Sequence, residues 1–155
     1  MEYSTLDKLG VRVSRLGFGC MRFPLTAEGK IDEPRAAAML DTAYKAGVTY
    51  YDTAYFYHQH TGEAFLGRAM KRYPRDTFYL ATKMPMSIVE SLDHAKEIFE
   101  GQLAALQTDY VDFYLLHGVN GERWKQAQEM GIVDFLLEMR KAGRIRHFGF
   151  SFHGS

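Results

Sequence analysis

The sequence predicts an α/β fold of repeated strand–helix units, and three observations support this prediction. Short runs rich in Val, Ile, Tyr, Phe and Leu alternate with longer segments whose apolar residues have helical spacing. The residues at or just after the ends of successive runs are 31 to 34 positions apart, the length of a right-handed crossover between parallel strands. Most of these end residues are polar, and in a parallel sheet they share one rim. They are Cys20, Asp52, Lys83, His117 and Ser151.

The units follow one another along the chain after a predicted hairpin. Alternating residues around Gly10 indicate the hairpin. Asp32 is the predicted N-cap of the first helix, Pro34 lies in its first turn, and Gly47 marks its end. The hairpin is predicted at 3–13, the strands at 15–19, 48–51, 77–82, 110–116 and 147–151, and the helices at 33–46, 62–72, 92–106 and 132–141.

Two architectures use such units, a doubly wound sheet and a (β/α)8 barrel. A doubly wound sheet requires a glycine-rich turn after its first strand, and residues 17–22 lack the third glycine of that motif. A barrel carries its functional residues at the carboxyl ends of several strands and typically has about 250 residues. This chain has 155. We therefore predict a single α/β domain, residues 1–155, of the (β/α)8 TIM-barrel type, truncated to about five strands and four helices and preceded by an N-terminal β-hairpin.

Composition narrows the possible partners and the location. The 19 basic and 19 acidic side chains cancel, which argues against nucleic acid or an anionic membrane as a partner. Cys20 is the only cysteine, so no internal disulfide can form, as expected in a reducing compartment. The sequence contains no apolar run of membrane-spanning length and no segment like a signal peptide at its N-terminus. These features predict a soluble, cytoplasmic protein.

Four polar residues near the strand ends form a candidate proton-handling site: Asp52, Tyr57, Lys83 and His117. A nearby ammonium stabilises a phenolate, so Lys83 could prepare Tyr57 for proton transfer while Asp52 holds Lys83 in place. His117 could donate a hydrogen bond to a carbonyl oxygen. These groups suit carbonyl reduction, in which a bound cofactor must supply the hydride because no side chain can.

Each of these residues also has a plainer interpretation when it is considered alone. A tyrosine near a strand end is usually a packing residue, a lysine there is usually solvated, and a histidine after an apolar strand is usually structural. The conjunction of four complementary groups favours the functional interpretation. His58 and His60 have a spacing found in metal sites, but such a site also needs a third ligand and a supporting shell. We therefore predict no metal site.

Five segments of the sequence together resemble the aldo-keto reductase family. The first two, residues 51–57 (YDTAYFY) and 62–67 (GEAFLG), are similar to the motif on the family's second strand. The third, residues 81–83 (ATK), is similar to the motif on its third strand, and the fourth, residues 103–117 with DYVDFYLLH at 109–117, to that on its fourth. The fifth, residues 143–151 (GRIRHFGFS), is similar to the segment that enters its fifth strand.

The resemblance implies a (β/α)8 barrel closed at the bottom by the hairpin, and NADPH-dependent reduction of aldehydes or ketones. Transferred position by position, it makes Tyr57 the proton donor and His117 the residue that orients the small-molecule carbonyl substrate. It also implies that Lys83 and Asp52 tune the tyrosine. On these grounds we expect the chain to be an oxidoreductase.

The resemblance also implies residues that contact the coenzyme. Cys20 and Met21, in the loop after the first strand, together with Asp52 and Ser151, are expected on the nicotinamide side. The family commonly has an asparagine after this serine, whereas this chain has Phe152. The family's contacts to the pyrophosphate and the 2′-phosphate come from later strands and helices, so most of the NADPH site is expected outside this chain.

Two alternatives to an independent enzyme remain open at the level of sequence. The chain could be a non-catalytic truncated fragment or a half-barrel that associates with itself through exposed sheet edges, since unpaired edges invite pairing with another chain. It could also be a regulatory subunit that keeps the fold for binding. The sequence does not predict the particular substrate, because barrels encode specificity largely in variable loops.

Overall fold

The computed structural model describes residues 1–153 and shows an α/β fold with two sheets. The strands are β1 (Tyr3–Leu6), β2 (Val11–Ser14), β3 (Phe18–Gly19), β4 (Tyr50–Asp52), β5 (Tyr79–Met84), β6 (Val111–Leu116) and β7 (Ile145–Phe150). The α-helices are α1 (Glu33–Lys45), α2 (Gly62–Met70), α3 (Leu92–Leu106), α4 (Gly121–Glu129) and α5 (Ile132–Lys141). Within residues 1–153, no helix is both long and apolar enough to cross a membrane.

The order of the strands is that of consecutive strand–helix units. β1 and β2 form an antiparallel hairpin, and β3 to β7 form a five-stranded parallel sheet in chain order. Each crossover in that sheet contains at least one α-helix. Parallel neighbours in chain order place the carboxyl ends of all five strands on one rim, as predicted.

Residues 1–153 contain one α-helix more than the four that the sequence predicted. Helix α4 was missed because its sequence is almost entirely polar, with Ala127 as its one buried residue and no apolar stripe. Its start nevertheless has a local signal, since the Asn120 side chain accepts a hydrogen bond from the Arg123 amide at 2.8 Å. The first strand, expected at 15–19, is only Phe18–Gly19, because the chain bends before it where the Ser14 hydroxyl donates to the Leu16 carbonyl.

The core lies between the parallel sheet and its helices. Tyr51, Tyr114 and Phe99 are fully buried there, with the rings of Phe99 and Tyr114 packed edge to face at 5.2 Å. Burying one large apolar side chain contributes about 1.5–3 kcal/mol. Gly67 of α2 lies close to the backbone at the end of α3, since an added Cβ would lie 2.7 Å from the carbonyl carbon of Leu106.

A buried ion pair fixes the end of the sheet opposite the carboxyl rim. The Asp112 side chain is 1% exposed and accepts hydrogen bonds from Arg75 at 2.7 Å and from the Leu80 amide at 2.9 Å. The Arg75 guanidinium also donates to the carbonyls of Phe78 and Tyr110. These bonds hold β5 and β6 together, because they link the start of one strand to a side chain of the other.

Candidate active site

The four predicted catalytic residues come together at the carboxyl rim of the parallel sheet. Asp52 is the last residue of β4, Lys83 is the next-to-last residue of β5, and His117 follows β6. Tyr57 lies in the turn after β4. Together they line a cavity of about 620 Å³. The other residues that line it are Met21, Phe56, His58, Ser151 and His153.

The Lys83 ammonium is the centre of the arrangement. Its Nζ atom lies 2.5 Å from each carboxylate oxygen of Asp52 and 2.7 Å from the Thr53 carbonyl oxygen, so all these contacts are hydrogen bonds. Nζ also lies 5.3 Å from the centre of the Tyr57 ring. The Lys83 side chain is only 7% exposed. A buried ammonium is stable only when it is paired and hydrogen-bonded, and Asp52 with Thr53 provides both.

Tyr57 is held by a turn with unusual backbone geometry. The Tyr57 carbonyl oxygen accepts a hydrogen bond from the Gly62 amide at 3.2 Å. The three residues directly after Tyr57 have positive φ angles, which are 53° for His58, 54° for Gln59 and 67° for His60. A left-handed residue other than glycine costs about 1–3 kcal/mol and persists only when its surroundings enforce it. The ring of His58 stacks on Phe23 at 5.5 Å, which is one such constraint.

His58 also connects the Tyr57 turn to the loop after β3. Its Nε2 atom lies 3.1 Å from the carbonyl oxygen of Cys20 and 3.3 Å from the amide nitrogen of Phe23. The sequence suggested a metal spacing for His58 and His60, but the structure shows His58 bound to backbone. Within residues 1–153, no group of three or more His, Cys, Asp or Glu side chains could hold a metal ion.

His117 is a half-buried imidazole beside the lysine. Its ring is nearly perpendicular to that of Tyr57, at an angle of 88° and a distance of 6.5 Å between ring centres. Burial, then the charge of Lys83 and that of His153, lower the pKa of His117. The imidazole is therefore neutral near pH 7, the form in which one ring nitrogen carries a hydrogen to donate and the other can accept.

The residues expected near the coenzyme lie in two different environments. Met21 is 54% exposed and lines the cavity together with Asp52 and Ser151. The Ser151 hydroxyl accepts from the Gly118 amide at 2.9 Å, which ties the loop after β6 to the end of β7. The Cys20 side chain is fully buried and is not among the residues that line the cavity. Burial raises the pKa of its thiol, so it remains a protonated core residue.

Three cavity residues were not predicted as site residues: Phe56, His58 and His153. Phe56 directly precedes Tyr57, and the His153 ring lies 6.3 Å from that of His117. A lone phenylalanine or histidine next to a motif carries no distinctive pattern, so only the folded arrangement reveals their position.

This geometry defines a class of protein: a partial (β/α)8 barrel with an Asp–Tyr–Lys–His cluster at its carboxyl rim. Comparison with known proteins then specifies the family. Residues 15–155 match the aldo/keto reductase family, and the chain is 31% identical to the aldo-keto reductase YhdN of Bacillus subtilis, over 97% of this chain and 47% of that protein. This chain belongs to the aldo/keto reductase family.

Solved structures agree with this assignment. The holo form of the aldo-keto reductase AKR11C1 from Bacillus halodurans is 34% identical, with a TM-score of 0.79 over 98% of this chain and 50% of that one. An aldo/keto reductase from Brucella melitensis is 25% identical, with a TM-score of 0.72 over 99% of this chain and 54% of that one. The predicted barrel-type α/β fold is confirmed. The chain spans about half the length of the relatives it matches.

Proposed function

We propose that this chain carries the proton-handling part of an NADPH-dependent reduction of aldehydes or ketones, with Tyr57 as the proton donor. The observation that carries the proposal is the position of the Lys83 ammonium. It is bound to both oxygens of Asp52 and lies 5.3 Å from the ring centre of Tyr57, in a cavity that His117 also lines. The Tyr57 ring and the His117 ring therefore face a common space that can hold a small carbonyl compound.

Reduction of a carbonyl group requires a proton at oxygen when a hydride arrives at carbon. Free tyrosine has a pKa of about 10 and needs help to exchange a proton near neutral pH. The Lys83 ammonium stabilises the phenolate that Tyr57 becomes after it has given up its proton. Asp52 keeps that ammonium in place, and the neutral imidazole of His117 donates a hydrogen bond to the substrate oxygen and so orients it.

The hydride would be supplied by NADPH bound beside the cavity. Met21, Asp52 and Ser151 line the side on which we propose that the nicotinamide lies, and Cys20 directly precedes Met21 in the same loop. The similar protein from Bacillus halodurans has a holo form, which supports a bound cofactor. Because this chain spans about half of that protein, we propose that most contacts to the rest of NADPH come from segments outside it.

The test compares Tyr57→Phe with Tyr55→Phe as a matched control in the same turn. Tyr55 packs edge to face on His60 at 4.7 Å and is not a cavity residue. NADPH oxidation is followed with a panel of aldehydes and ketones in the longest reading frame that contains this chain. We expect Tyr57→Phe to lower turnover by about 10²–10⁴-fold, the usual contribution of a general acid, and Tyr55→Phe to leave it unchanged. Equal turnover in both variants would show that Tyr57 is not the donor.

A second proposal concerns the chain by itself, which we propose is not catalytic and associates with copies of itself. Apolar side chains are exposed at both outer strands of the sheet: Leu16, just before β3, is 61% exposed, and Phe150 and Phe152 at the end of β7 are 60% and 58% exposed. Within residues 1–153, β3 and β7 each pair with one strand only. Open edges and large apolar patches favour association.

Light scattering and NADPH titration test this second proposal. We expect the apparent mass to rise with concentration and to fall in a Phe150→Ser/Phe152→Ser variant, and we expect weak NADPH binding. A monodisperse monomer with a cooperative melt would contradict the association, and submicromolar affinity for NADPH would contradict the absence of a complete coenzyme site.

A further inference from the structure

A second polar cluster lies behind the catalytic residues, on the helix side of the sheet. It consists of Glu63 from α2, Thr82 from β5, Gln102 from α3 and Tyr114 from β6, and all four side chains are 5% exposed or less. Their surroundings are the apolar core. Burying polar groups in such a core is unfavourable unless they are hydrogen-bonded to one another, so the cluster must be satisfied internally. We refer to these four residues as the Glu63 cluster.

Two hydrogen bonds of the Glu63 cluster converge on one carboxylate oxygen. The Thr82 hydroxyl donates to Oε1 of Glu63, and Nε2 of Gln102 donates to the same oxygen at 2.7 Å. The Tyr114 hydroxyl in turn donates to Oε1 of Gln102 at 2.6 Å. The cluster therefore connects two helices with two neighbouring strands.

The cluster acts directly on the backbone of Lys83. The side-chain amide of Gln102 donates a further hydrogen bond, at 3.0 Å, to the carbonyl oxygen of Lys83. Successive side chains of a strand point to opposite faces, so Thr82 faces the helices while Lys83 faces the cavity. The cluster thus holds the side chain just before Lys83 and the carbonyl just after its Cα, and these two constraints fix the direction in which the lysine leaves the strand.

Oε1 of Glu63 accepts both hydrogen bonds of this side chain, one from Thr82 and one from Gln102, and this sets the arrangement of the cluster. The NH₂ group of Gln102 then points towards Glu63 and Lys83, and its oxygen remains for the Tyr114 hydroxyl. No lysine or arginine forms an ion pair with Glu63 among residues 1–153. Burial raises the pKa of Glu63, and the positive charge of Lys83 partly offsets that effect.

We infer that Glu63 is a positioning residue for Lys83, which acts through Thr82 and Gln102 to direct the lysine ammonium towards Asp52 and Tyr57. This inference rests on the proposed role of Lys83, but its test does not depend on turnover. A purely structural role would require only that Glu63 and its partners stabilise the packing of α2 and α3 on the sheet. The two roles differ in what happens to the ammonium when the cluster is broken and the fold survives.

The experiment measures the exchange of the Lys83 ammonium hydrogens with water by ¹⁵N NMR of the chain labelled at lysine. The variants are Glu63→Leu, Thr82→Val and Glu63→Gln, and the control is Asp112→Asn, which perturbs the opposite end of the same sheet. In Glu63→Leu and Thr82→Val we expect exchange to accelerate about tenfold or more, as for the loss of one net hydrogen bond. Glu63→Gln keeps an acceptor in place and should retain slow exchange.

The outcomes distinguish a positioning role of Glu63 for Lys83 from a purely structural role. If Glu63→Leu does not fold, Thr82→Val, which keeps the volume of the side chain and removes its hydroxyl, decides the question. Slow ammonium exchange in a folded Thr82→Val or Glu63→Leu variant would overturn the inference, as would equal acceleration in Asp112→Asn. The proposed reduction is judged separately by Tyr57→Phe, so a failure of one proposal leaves the other intact.

Discussion

The contact between α2 and α3 provides a quantitative test of the packing, with two glycines that should respond in opposite directions. Gly67 is buried, and a Cβ added there would meet the carbonyl oxygen of Ala105 and lie 2.7 Å from the carbonyl carbon of Leu106. Carbon atoms normally approach to about 3.5–4.0 Å. Gly101 is exposed in the middle of α3, and a Cβ added there would have no neighbour within 4 Å.

The magnitudes follow from these distances. In Gly67→Ala the two helices must separate by about 1 Å, and since the obstacle is backbone, we take the upper part of the usual range for overpacking, about 3 kcal/mol. The better helix propensity of alanine offsets about 1 kcal/mol of this overpacking cost, so the free energy of unfolding of Gly67→Ala should fall by about 2 kcal/mol. Gly101→Ala gains helix propensity without overpacking, so it should raise the free energy of unfolding by about 1 kcal/mol.

The assay is urea unfolding of this chain followed by far-ultraviolet circular dichroism. With a slope of about 2 kcal/mol per molar urea, a difference of about 3 kcal/mol separates the two midpoints by about 1.5 M. If Gly67→Ala unfolded at the same urea concentration as the unchanged chain, or at a higher one, while Gly101→Ala behaved as expected, α2 and α3 would not be in close contact at Gly67.

Three further predictions concern the ion pair, the histidine and the first helix. Asp112→Ala leaves the Arg75 guanidinium partly buried without its carboxylate and should lower the free energy of unfolding by about 3 kcal/mol; an unchanged urea midpoint would contradict this. Burial and the charge of Lys83 lower the pKa of His117. The neutral His117 side chain therefore contributes stability above about pH 6.5, and this contribution is lost as the pH falls through the lowered pKa. His117→Gln should therefore flatten the acid side of a plot of melting temperature against pH, and an identical plot would exclude that cause. Asp32→Ala removes an N-cap bond and should cost about 1 kcal/mol in thermal melts, whereas Asp32→Ser should restore most of it.

The sequence predicted the fold best where apolar spacing and helix ends agree. Helices α3 and α5 have the predicted bounds, because an apolar stripe runs along each from the first turn to the last. Helix α4 could not be predicted in this way, since Ala127 is its one buried residue and the pattern of apolar positions is absent. Strand β3 is shorter than predicted because the hydrogen bond of Ser14 to Leu16 bends the chain, a local contact that the apolar pattern does not encode.

The sequence predicts the part of the candidate site that depends on the regular spacing of the strands. Asp52, Lys83 and His117 occupy equivalent ends of consecutive parallel strands, so the period of the sequence already places them on one rim. The turn that positions Tyr57 could not be foreseen, because the positive φ angles of the residues after it are enforced by contacts such as the stacking of His58 on a distant ring. Glycine would have signalled such a backbone, and none is present at those three positions.

The residues proposed to handle the proton are held in place separately from the coenzyme proposed to supply the hydride. The groups that hold Lys83 come from two layers, Asp52 and Thr53 on the cavity side and the Glu63 cluster on the helix side. All of them belong to β4, β5, β6, α2, α3 or the turn after β4, and each is buried or half-buried within residues 1–153. The hydrogen bonds that hold the Lys83 ammonium are therefore all made by residues of this chain. We expect the Lys83 ammonium hydrogens to exchange slowly in the absence of NADPH, and fast exchange without coenzyme would contradict this account.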